Sequence, residues 1–235
     1  MIKDIKKVEV IIMSYIAYII VFAVMAIVLF FVLKKQGSVG RLNKALNNKD
    51  YETVISYCEK DSYKKAVGTF NCELYRLKAI YFSKGDAAVL KELLVALKKD
   101  YTQDQKKQLL DIYYHIFLQK ENREYCDTLM EVIDTIEDDN FKKCQKWSYD
   151  IMFNHCTDYI EEMDLAIENK QYEGFDLGVV AYMIGLSYYY KESYESARSY
   201  FYTCISCFRP HDLYVDLAKK YVNELSEKIG DQLTI

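Results

Sequence analysis

The chain has 235 residues, room for one or two domains, and it carries 8 glycines and a single proline. So few turn formers, beside 23 tyrosines and 15% aromatic residues, exclude a turn-rich sheet protein and leave an all-α chain. A formal net charge of -4 argues against nucleic acid as the main partner.

Val10 to Leu33 runs for 24 positions without a charged residue. As a helix it would measure about 36 Å, more than the roughly 30 Å hydrocarbon core of a bilayer. Lys6 and Lys7 precede it, Lys34 and Lys35 follow it, and Tyr15, Tyr18, Phe30 and Phe31 lie toward its two ends, as interfacial aromatics do. A cleavable signal has a shorter apolar region followed by small residues. Here the run ends in Phe-Phe-Val-Leu-Lys-Lys, so residues 1–35 are expected to remain as a tail and a single membrane-spanning helix.

Both flanks are basic, with Lys3, Lys6 and Lys7 before the span and Lys34, Lys35, Arg41 and Lys44 after it. The slight excess on the far side places the larger part in the cytoplasm. The 7 scattered cysteines suit free thiols in a reducing compartment, and no Asn-x-Ser/Thr acceptor occurs.

Residues 36–40 (QGSVG) read as a short flexible linker. Beyond it, Tyr51, Ala87, Tyr125, Tyr159 and Tyr194 each follow a polar break and open an apolar-periodic run, at separations of 36, 38, 34 and 35 residues. The clearest unit is Ala181 to Pro210. Gly185 and Ala197 are its small residues, Tyr188, Phe201 and Cys204 its large or soft apolar ones, and Pro210 closes it. In the unit around Ala87, Lys78 and Leu90 stand where small residues would pack best. Between Cys144 and Ile167 no Gly or Pro intervenes, so either one long helix or two would satisfy the pattern. Tyr214, Leu217, Ala218, Tyr221 and Leu225 form a last amphipathic stripe over residues 211–229, before a fraying tail at 230–235.

This period, with Gly185, Tyr188, Tyr194, Ala197, Phe201 and Pro210 at their offsets, resembles the tetratricopeptide repeat. The resemblance implies an α-solenoid of about five helical hairpins over residues 41–210, capped by the last helix. It also implies a concave groove that binds proteins or peptides without cofactor or catalysis. The groove positions would be Val179, Tyr182, Leu186, Tyr189 and Tyr190 in the best unit and Tyr75, Ala79 and Phe82 in an earlier one. Exported relatives of this kind with one amino-terminal anchor would instead make the chain an envelope chaperone or assembly factor.

Cys204, Cys207 and His211 form the arrangement closest to metal or redox chemistry, giving an alternative reading as a metal-binding or redox subunit. Cys204 also falls on the apolar stripe, where a packed thiol accounts for it, and His155 reads as a core histidine.

Overall fold

In the computed structural model the backbone is described for residues 2–208 and 214–230, and side chains from residue 20 onward. Pro210 and His211 and the tail at 231–235 lie outside the described residues. The described residues form twelve α-helices and no strand, in two compact units, Met1–Asp100 and Tyr101–Ile235.

The first unit begins with α1 (Ile2–Asn47), which is long and apolar enough to cross a membrane. Its apolar side chains from Ile20 to Leu33 are all exposed. The expected joint at 36–40 is a correction: the helix runs through it without a break. Helical glycine costs about 1 kcal/mol relative to alanine, but burial of Leu42 and Ala45 immediately beyond offsets that cost.

Helices α2 (Tyr51–Glu59) and α3 (Asp61–Val67) pack on the end of α1. Leu42, Ala45, Val54, Cys58, Tyr63, Val67, Cys72 and Ala79 close one core between them and α4 (Thr69–Lys84). Nothing in the apolar spacing announces α3, a two-turn helix closed by Gly68 at φ 100. A second turn through Gly85 at φ 81 leads to α5 (Asp86–Leu97), which packs on α4.

The second unit opens with α6 (Gln103–Gln119), started by a capping box between Thr102 and Gln105. Then come α7 (Arg123–Ile133), α8 (Asp139–Asn154), α9 (Ile160–Glu168), α10 (Gly174–Tyr190), α11 (Tyr194–Cys207) and α12 (Val215–Ile229). Two helices, not one, occupy Cys144 to Ile167, because His155 adopts φ 52 and closes α8. That residue is exposed rather than in the core, and its ring stacks on Tyr190 at 4.3 Å. α6 packs on α7 and α8, α8 on α10, α10 on α9 and α11, and α11 on α12.

Four helix ends share one device. Lys49, Glu121, Lys170 and Glu192 take left-handed backbone at φ 53 to 58. Each donates its amide to the carbonyl three residues back, and the next residue's amide reaches five back, as in Asp50 to Ala45 and Ser193 to Tyr188. A left-handed non-glycine residue costs about 1–2 kcal/mol, and the two recovered carbonyl bonds offset it. Asp50 and Asn122 then cap the next helix, accepting from the amides of Thr53 and Tyr125. The small residues of the best unit lie where the helices approach closely: a Cβ on Gly185 would stand 2.9 Å from the Phe201 ring, and Ala197 is fully buried.

Candidate functional site

The eight expected groove residues divide by burial. Ala79, Val179, Tyr182 and Leu186 are interior, which corrects their assignment to an open groove. Ala79 belongs to the core of the first unit. Tyr182 packs against Tyr214 at 4.8 Å, Phe201 at 5.4 Å and Tyr221 at 6.3 Å, so the last helix and the turn before it cover the face of α10 that was to receive a partner. Burial pushes the Tyr182 hydroxyl well above the ordinary tyrosine range, with Tyr221 adding to the shift.

Tyr75, Phe82, Tyr189 and Tyr190 retain surface. On α4, the Tyr75 hydroxyl donates to Asn43 Oδ1 at 2.8 Å, while Phe82 is 55% exposed. The Phe82 ring lies at 6.0 Å and 17° to that of Tyr51, and edge-on to Tyr81. A partly exposed aromatic cluster is thus mounted on the start of α2 and the end of α4.

At the end of α10, Tyr189 donates to Glu224 Oε1 at 2.8 Å. Lys228 Nζ stands 4.9 Å from the Tyr189 ring centroid and 5.1 Å from that of Tyr194. Glu224 is held below the usual carboxylate range by hydrogen bonds from Lys228 and Tyr189. The aromatic cradle on this side is therefore filled by the chain's own last helix.

Cys204 is fully buried on α11 and Cys207 partly buried, and burial drives the Cys204 thiol far upward, with Cys207 adding to it. The third member of that trio, His211, lies outside the described residues. Among the described residues no group of three or more His, Cys, Asp or Glu side chains could hold a metal ion.

Two polar clusters escaped the sequence reading. In the first unit the buried Glu73 carboxylate accepts from Lys99 and from Arg76, each at 2.6 Å, and Arg76 also donates to Glu92 at 2.8 Å. These residues line a cleft of about 430 Å³ that also reaches Cys58 and Cys72. Burial alone would raise the Glu73 pKa, but hydrogen bonds from Lys99 and Arg76 outweigh it and hold the group low.

In the second unit His115 is wholly buried, with Nδ1 2.6 Å from the Tyr214 hydroxyl and Nε2 3.3 Å from Asp111 Oδ1. Asp111 and Asp176 face a neighbouring cleft of about 410 Å³ with Lys107 and Asp138. Burial, then the nearby Asp111, pushes Asp176 up to about 6. The one local signal for this cluster in the sequence is the i, i+4 spacing of Asp111 and His115, since Tyr214 is 99 residues away in the chain.

No family profile, curated protein or solved structure matches the chain.

Proposed function

We propose that the chain is a tetratricopeptide-like scaffold, anchored by residues 10–33 and facing the cytoplasm, that holds protein or peptide partners at the membrane without chemistry of its own. The observation that carries the reading is the recurrence of one hairpin device. Tyr51, Tyr125 and Tyr194 fall in the first turn of α2, α7 and α11, each behind a left-handed residue at 49, 121 and 192, and Ala87 falls in the first turn of α5 behind Gly85. The succession of α6, α8 and α10 as packed neighbours supports a stack of helix pairs.

Contact with a partner would fall to Phe82 and its neighbours rather than to Tyr182, because a half-exposed aromatic surface on a rigid helix offers area at small entropic cost. A photo-crosslinking residue placed at position 82 of the full chain, irradiated in intact membranes, should yield a discrete higher-mass product. The same residue at Glu131, exposed on α7 of the other unit, should not. Equal diffuse labelling at both positions would contradict the proposal.

A further inference from the structure

We propose that the turn between α2 and α3, together with the membrane-proximal part of α1, forms a binding surface for anionic lipid headgroups. The inference rests on the reading of α1 as a membrane span and assigns a second contact to the same anchor.

The continuous helix sets the geometry. At about 1.5 Å per residue, Ser38 stands roughly 7.5 Å and Arg41 roughly 12 Å beyond Leu33, the last residue of the apolar run. Headgroups occupy about 5–8 Å on each side of the hydrocarbon core, and tilt of the helix only lowers these heights. Ser38 is already buried by protein, so the folded unit begins at the headgroup layer.

The turn nearest this level is cationic, and two stacked tyrosines brace it. Tyr57 and Tyr63 stack at 4.6 Å and 10°, and the Arg41 guanidinium stands 5.7 Å from the Tyr63 ring centroid. Lys60 Nζ stands 5.1 Å from the Tyr57 ring centroid. The Arg41 contact fixes the α2–α3 turn beside the third turn of α1 past Leu33, rather than at the opposite end of the unit. Lys60, Lys64 and Lys65 stand on and just after this turn with two carboxylates, Glu59 and Asp61, and Lys34, Lys35 and Arg41 lie on the membrane-proximal part of α1; Lys64 also lines the cleft that holds Glu73. All these cations but Lys64 are exposed, and Lys64 is half-buried. Tyr63 is a core residue and Tyr57 is partly buried, so the ring stack holds the turn in place while the exposed cations beside the span select anionic lipid.

The test uses the full chain in nanodiscs of phosphatidylcholine alone or with about 30% phosphatidylserine, read by hydrogen exchange at the amides of residues 57–66. Exchange should slow about threefold or more in the anionic discs. The difference should vanish in roughly 0.5 M salt and in the Lys60→Glu/Lys65→Glu variant, while amides of α10 exchange unchanged in every case. Equal exchange in the two kinds of disc would overturn the surface and leave the anchor standing. Protection produced by inorganic phosphate in phosphatidylcholine discs would overturn the lipid assignment. A chain that stays out of the discs and dissolves without detergent would remove the anchor, and this surface with it.

Discussion

Single carboxylates of the two units respond to pH in opposite directions. Glu73, lowered on folding, contributes stability above its unfolded pKa and loses it as pH falls through the folded one. Asp176, raised to about 6, behaves the other way: relative stability is fully present below the unfolded value of 3.8 and is lost as pH climbs through 6. Its partial exposure screens the effect to about 1 kcal/mol. Asp176→Asn should therefore raise the melting temperature of the full chain in detergent by about 2–4 °C at pH 8 and leave it unchanged near pH 4. An equal gain at both pH values would assign the effect to something other than the carboxylate's charge. Neither residue was legible in the sequence, because Glu73 is paired with Lys99, 26 residues further along the chain, and the Asp176 shift comes from its burial and from Asp111 on another helix.

At the level of elements, local chemistry was readable wherever a polar break preceded a periodic run. The starts of α2, α5, α7, α9 and α11 fall within two residues of Tyr51, Ala87, Tyr125, Tyr159 and Tyr194, since left-handed turns and caps are built from neighbours in the chain. What depends on distant packing was misread. QGSVG looks like a joint by composition, yet burial of Leu42 and Ala45 extends the helix through it. Tyr182 looks like groove lining by its offset, yet Tyr214 and Tyr221 cover it.

The continuity of α1 can be checked on its glycines. A Cβ added at Gly37 or Gly40 meets nothing within 4 Å, and neither residue has a positive φ. Gly37→Ala/Gly40→Ala should thus raise stability by about 0.4–1 kcal/mol per site, measured by thermal unfolding of the first unit within the full chain. A flexible joint would gain nothing from the pair.

For the molecule as a whole, the sequence conveyed the helical class and the apolar leading segment, because both follow from composition and periodicity summed over long windows. The account of function depends on that segment staying attached, since a scaffold that floats free would hold its partners nowhere in particular. The most direct measurement is alkaline extraction of membranes, followed by the intact mass of the extracted protein. The full chain should remain in the pellet with Val10 to Leu33 still in place, and a chain lacking residues 1–33 should appear in the supernatant. A full chain that washes off, or one whose mass shows that its apolar segment has been removed, would contradict the account.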